Sequence, residues 1–124
     1  MIHAIPLVAV VDDDESVRES LPDLLREFGF AARAYASAED FLTSAALDGT
    51  ACLVLDVAMP GMNGPELVRE LRRRGWDIPV VFITAHGDDI TRPELIKEGA
   101  VECLLKPFSE MALLGAIRTA LKAA

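Results

Sequence analysis

Three short runs without a single polar residue set the frame for this chain: Leu7-Val8-Ala9-Val10-Val11, Ala51-Cys52-Leu53-Val54-Leu55 and Pro79-Val80-Val81-Phe82-Ile83. A strand with one face in water alternates apolar and polar positions. A continuous apolar run of this length suits a strand covered on both faces, as in a parallel sheet packed between helices. Ala31 to Ala36 and Val101 to Leu105 are weaker strand candidates.

Helical patterns lie between the runs. Val17, Leu21, Leu24, Leu25 and Phe28 mark one helical face, with Gly29 as a stop. Pro22 falls inside that pattern, where its missing N–H predicts a kink. Ser37-Ala38-Glu39-Asp40 resembles a capping box ahead of Phe41 and Leu42. Pro65 fits the first turn of a helix carrying Leu67, Val68 and Leu71 and closed by Arg72, Arg73, Arg74 and Gly75. Thr91 caps a short helix ending near Gly99, and Ser109 caps a last one with Leu113, Leu114, Ile117 and Leu121 inside. Strand and helix thus alternate five times, which predicts a (βα)5 architecture: a five-stranded parallel sheet with helices on both faces.

The 124 residues fit one domain, and a 52% hydrophobic fraction excludes a disordered chain. The net charge of −8 is a poor match for a phosphate backbone and argues against direct nucleic-acid binding. No apolar run approaches the roughly 18 to 20 residues of a membrane span. Met1-Ile2-His3-Ala4 lacks the basic start of a signal peptide, so the expected compartment is the cytoplasm. Cys52 and Cys103 both sit in apolar runs and read as small hydrophobes rather than a disulfide pair.

In an open α/β sheet, sites form at the carboxyl ends of the strands. Asp12-Asp13-Asp14-Glu15 follows the first run, Asp56 the third, Thr84 the fourth and Lys106 the fifth. Asp12, Asp13 and Asp56 would crowd carboxylates into one cleft, which raises their pKa values unless a cation sits among them. Hard oxygen ligands favour Mg²⁺. Lys106 supplies a point charge and Thr84 a hydroxyl for phosphoryl oxygens, and Asp56 would be the nucleophile that forms an acyl phosphate. Taken singly, an acidic run is often only a helix N-terminus and a lone Asp a turn former. It is the placement at four separate strand ends that points to phosphoryl transfer.

The motifs that carry a family resemblance are Val10-Val11-Asp12-Asp13-Asp14-Glu15, the stretch Leu55-Asp56-Val57-Ala58-Met59-Pro60-Gly61-Met62-Asn63-Gly64, Ile83-Thr84-Ala85-His86, and Lys106-Pro107-Phe108. In this order and spacing the sequence resembles the receiver domain of two-component response regulators, of the CheY and FixJ kind, over essentially its whole length. The resemblance implies a flavodoxin-like, doubly wound sheet of order 2-1-3-4-5, with residues 1–124 forming a single receiver domain and any output domain lying outside this chain. It implies that Asp56 accepts a phosphoryl group from the phosphohistidine of a sensor histidine kinase or phosphotransfer protein. Asp13, Asp56 and the backbone carbonyl of Ala58 would ligate Mg²⁺, and Asp12 would act largely through a water. Thr84 and Lys106 would hold the phosphoryl oxygens, and the Lys106-Pro107 bond would be cis. Such a module catalyses only its own phosphorylation and dephosphorylation, then changes its binding to a downstream protein or dimerises.

Three positions depart from the family pattern. Cys103 stands where the family usually has Tyr or Phe, Pro93 shortens the fourth helix, and Pro22 could reshape the first helix, where kinases usually dock. His86 lies two residues after Thr84, a position that tunes phosphate lifetime in the family. A flavin or nucleotide site would want a Gly-rich loop after the first strand, where Asp12 to Glu15 would repel phosphate. An aspartyl-phosphate phosphatase would carry its nucleophile after the first strand, not at Asp56. A degenerate receiver that only scaffolds is the remaining alternative, and the intact set Asp12, Asp13, Asp56, Thr84 and Lys106 speaks against it.

Overall fold

A computed structural model of the chain describes residues 5–85 and 91–123. Five strands, β1 (Leu7–Val11), β2 (Ala31–Tyr35), β3 (Thr50–Asp56), β4 (Val80–Thr84) and β5 (Glu102–Leu105), alternate with five helices, α1 (Glu15–Glu27), α2 (Ala38–Leu42), α3 (Gly64–Arg73), α4 (Arg92–Lys97) and α5 (Glu110–Ala123). The strands form one sheet of order β2-β1-β3-β4-β5, every pairing parallel, as the resemblance implies. Among the described residues no helix is long and apolar enough to cross a membrane.

The all-apolar runs are explained by two cores, one on each side of the sheet. Ala9, Val11, Leu53, Leu55 and Phe82 pack with Phe41, Leu67, Val68, Leu71 and Leu95 of α2, α3 and α4. The alternate residues Val8, Val10, Cys52, Val54, Val81 and Ile83 pack with Leu21 and Leu25 of α1 and Leu113, Leu114 and Ile117 of α5. Each fully buried Val, Leu, Ile or Phe side chain among them contributes roughly 1.5–3 kcal/mol. Cys52 is buried in the second core, which pushes its thiol up to about 12, and Cys103 is half-buried against the first. Both cysteines are free.

The predicted capping residues accept bonds from their helix starts, although Ser37 and Asp40 show only the forward bond of the expected capping box. Ser37 accepts a hydrogen bond from the Asp40 N–H (3.0 Å), Thr91 from Glu94 (3.4 Å) and Ser109 from Ala112 (3.0 Å). Helix α1 continues through the buried Pro22 without interruption, so the missing donor there does not end it. The Lys106-Pro107 bond is cis, as expected.

Candidate functional site

The sheet brings the chemistry-bearing residues to one edge. Asp56 and Thr84 are the last residues of β3 and β4, while Asp12 and Lys106 are the first residues after β1 and β5. The Lys106 N–H donates to the Thr84 carbonyl at 2.7 Å, which ties the ends of the last two strands together.

The three consecutive aspartates do three different jobs. Asp14 is the N-cap of α1, its carboxylate accepting from the Ser16 N–H at 2.9 Å. Asp13 is exposed at the cleft rim. Asp12 is fully buried, and each of its four polar atoms has a partner. Its N–H donates to the Tyr35 carbonyl (3.1 Å), and its carbonyl accepts from Arg18 Nη1 (3.1 Å). Its Oδ1 accepts from the Asp14 N–H and its Oδ2 from Lys106 Nζ, both at 2.9 Å. A buried carboxylate persists only when paired in this way.

Asp56 is 5% exposed, and its floor is built by the start of α3. The Val57 N–H donates to the Ile83 carbonyl (3.0 Å), and the Gly64 N–H returns to the Val57 carbonyl (2.9 Å). A Cβ at Gly64 would lie 2.6 Å from the Asp56 carbonyl oxygen and 2.9 Å from the Phe82 ring, so only glycine lets the helix start so close beneath the strand end. Asn63 and Glu66 form a reciprocal capping box at 2.9 and 3.1 Å, and Glu39 of α2 accepts from the Met62 N–H (3.2 Å). The loop that carries Asp56 toward α3 is therefore fixed at both ends.

One carboxylate oxygen from each of Asp12, Asp13 and Asp56 lies within 4.8 Å of the others. Lys106 Nζ sits 2.9 Å from Asp12 and 4.0 Å from Asp56. Burial and then the charge of Asp12 push the Asp56 carboxyl up to about 7, with hydrogen bonding to Asp13 and Asp12 adding to the rise and Lys106 opposing it. Burial works against the Lys106 charge, but its bond to Asp12 and the charges of Asp12, Asp56 and Asp14 outweigh that and hold it above its ordinary value. Lys106 offsets one of the three carboxylate charges, so a divalent cation would offset the other two. The donors are all hard oxygens, a set that fits Mg²⁺ or a cation like it.

Thr84 is buried and stands one residue pair past Asp56, which pairs with Ile83. Ala58 is exposed two residues beyond Asp56. His86 lies outside the described residues. Sequence reasoning missed Arg18, Glu39 and the packing role of Gly64. An arginine on an amphipathic helix carries no mark of the carbonyl it will meet, and a contact such as Glu39 to Met62 spans 23 residues.

The chain matches the family model of the response regulator receiver domain over residues 8–118. It is 44% identical over 118 residues to the response regulator protein TmoT of Ectopseudomonas mendocina, covering 95% of this chain and 54% of that protein. Among solved structures it is similar to the response regulator StyR, at 49% identity and a TM-score of 0.88, covering 97% of this chain and 61% of that one. It is also similar to FixJ-N, at 40% identity and a TM-score of 0.87, covering 98% of each chain. The chain spans about half the length of the curated relatives it matches.

Proposed function

This chain belongs to the response regulator receiver domain family, and on that premise we propose that Asp56 is the phosphoacceptor of a two-component signalling switch. The observation that carries the reading is the convergence of three carboxylates within 4.8 Å with the Lys106 ammonium beside two of them, at the ends of separate strands. An Asp56 carboxylate oxygen attacks the phosphorus of a kinase's phosphohistidine. The nitrogen–phosphorus bond breaks as the oxygen–phosphorus bond forms, and the imidazole keeps the electron pair. Lys106, already placed between Asp12 and Asp56, meets the incoming negative charge, and Thr84 offers its hydroxyl to another phosphoryl oxygen. Asp13, Asp56 and the Ala58 carbonyl are the residues that would hold Mg²⁺, with Asp12 reaching it through a water, and the ion would supply charge neutralisation for the transferring group.

Residues 1–124 act in this reading as one receiver domain, in the cytoplasm, with no turnover substrate. The partner on the input side is a sensor histidine kinase or phosphotransfer protein. On the output side it is a downstream protein, an output domain outside this chain, or a second phosphorylated copy.

The test is incubation with Mg²⁺ and acetyl phosphate or beryllofluoride, followed by mass measurement or NMR. The expected result is a single adduct in the wild type and none in Asp56→Asn. A wild type that takes no adduct, or an adduct that persists in Asp56→Asn, overturns the reading; the first outcome favours a degenerate receiver that only scaffolds.

A further inference from the structure

We propose that Arg18 is a positioning residue for phosphoryl acceptance: its guanidinium fixes the peptide between Asp12 and Asp13, and so aims both carboxylates at Asp56. The proposal rests on the reading of Asp56 as phosphoacceptor.

The Asp12 carbonyl is the loose end in the chain's passage from strand to helix. Strand β1 stops at Val11, and the first intrahelical bond of α1 runs from the Arg18 N–H to the Asp14 carbonyl (3.2 Å). The Asp12 carbonyl thus belongs to neither ladder, and a polar group left unpaired beside a fully buried residue is costly. Arg18, one turn into α1 and half-buried, donates to it from Nη1 at 3.1 Å. A charged donor makes this one of the stronger kinds of hydrogen bond.

The consequence reaches beyond Asp12. The peptide is planar, so its carbonyl oxygen, the Asp13 nitrogen and the Asp13 Cα move as one rigid unit. Holding the oxygen sets the direction in which Asp13 leaves the backbone, and Asp13 is the exposed member of the cluster. The same unit carries the chain on to Asp14, whose N–H donates back to Asp12 Oδ1 at 2.9 Å. Arg18 therefore closes a small ring of contacts through the turn from Asp12 to Asp14, with Asp13 at its middle.

Helix α1 supplies its own control. Arg26, further along the helix, also donates to a strand carbonyl, that of Ala32, at 2.7 Å. It ties α1 to the sheet in the same manner but touches nothing at the cleft.

The experiment compares Arg18→Met, Arg18→Lys and Arg26→Met by two readouts. The first is amide exchange at Asp14, read by NMR without divalent cation. The second is the rate of phosphorylation by acetyl phosphate at saturating Mg²⁺. Arg18→Met is expected to speed Asp14 exchange and to slow phosphorylation, each by about tenfold, the scale of one charge-assisted hydrogen bond. Arg18→Lys recovers most of both, and Arg26→Met leaves both at the wild-type value. Wild-type exchange and rate in Arg18→Met overturn the proposal, as does an Arg26→Met that matches it, because the effect is then a general loosening of α1. Should Arg18→Met fail to fold, the shorter Arg18→Gln takes its place, and wild-type Asp14 exchange in that variant overturns the proposal equally. The exchange readout needs no phosphoryl donor. A wild type that takes no adduct therefore sinks the reading of Asp56, whereas unchanged exchange sinks only the role of Arg18.

Discussion

Helices α3 and α4 start alike and are held very differently. Both open with a reciprocal capping box and a proline in the first turn. In α3 the box bonds are 2.9 and 3.1 Å; in α4 they stretch to 3.4 and 3.5 Å. Helix α3 has ten residues and buries Leu67, Val68 and Leu71 behind Gly64 and Pro65, while α4 has six and buries Leu95. Among the described residues, exposed electrostatic contacts add to Leu95: Arg69 grips Glu98 with two bonds of 2.6 and 3.0 Å, and Arg92 meets Glu102 at 2.6 Å. Exposed pairs contribute about 0–1 kcal/mol each, against roughly 1.5–3 for each buried aliphatic side chain. The same local grammar thus gives a rigid floor under Asp56 and a lightly held element next in line after Thr84.

The largest test of that contrast uses two glycines. Gly64→Ala at the start of α3 drives a Cβ into the Asp56 carbonyl and the Phe82 ring, neither of which can swing aside. It is expected to cost about 2–3 kcal/mol in urea unfolding. Gly99→Ala at the end of α4 first meets the far end of the long, exposed Arg72 side chain, which can give way, so its cost is chiefly the strain of a φ of +98°, about 1 kcal/mol. Equal losses would erase the distinction between the two helices.

The second test is the sign of the pH dependence. Asp56 has its carboxyl raised to about 7, so the folded state holds a proton that the unfolded chain has already lost. Stability from this group is therefore lost as pH rises from about 4 to 7. Glu98 and Glu102, held below the usual range by their bonds to Arg69 and Arg92, act the other way and weaken α4 as pH falls. Without divalent cations, Asp56→Asn should gain stability over the wild type at pH 8 and lose that gain near pH 4. A constant difference across the range would remove Asp56 as the source.

The smallest effect belongs to Arg92→Met. It should lower the urea midpoint slightly at low salt and not measurably in molar salt. A loss as large as that of Gly99→Ala would show that the ion pairs, and not Leu95 alone, anchor α4.

Much of this was legible in the sequence because the strands are buried on both faces. The end of each apolar run located Asp12, Asp56, Thr84 and Lys106 to within a residue, and Ser37, Thr91 and Ser109 announced their caps through side chains that bond only three residues away. The three aspartates were harder, because their types are identical and only the turn of the chain separates a buried anchor from a rim carboxylate and a helix cap. Pro22 announced a kink on local grounds; the residues around it are drawn into the core shared with α5, and the helix continues through it. The partners of Arg69 and Arg92 were invisible, since the sheet, not the local sequence, brings Glu98 and Glu102 within reach.

The bond between Asp12 and Lys106 joins residues 94 positions apart, from the first loop of the fold to the last strand's end. Until β5 has docked, the cluster has its negative charges without this cation, and a buried aspartate without its counter-ion resists closure of the cleft. On the reading of Asp56 as phosphoacceptor, a chain without β5 in place would carry that carboxylate without the cation beside it.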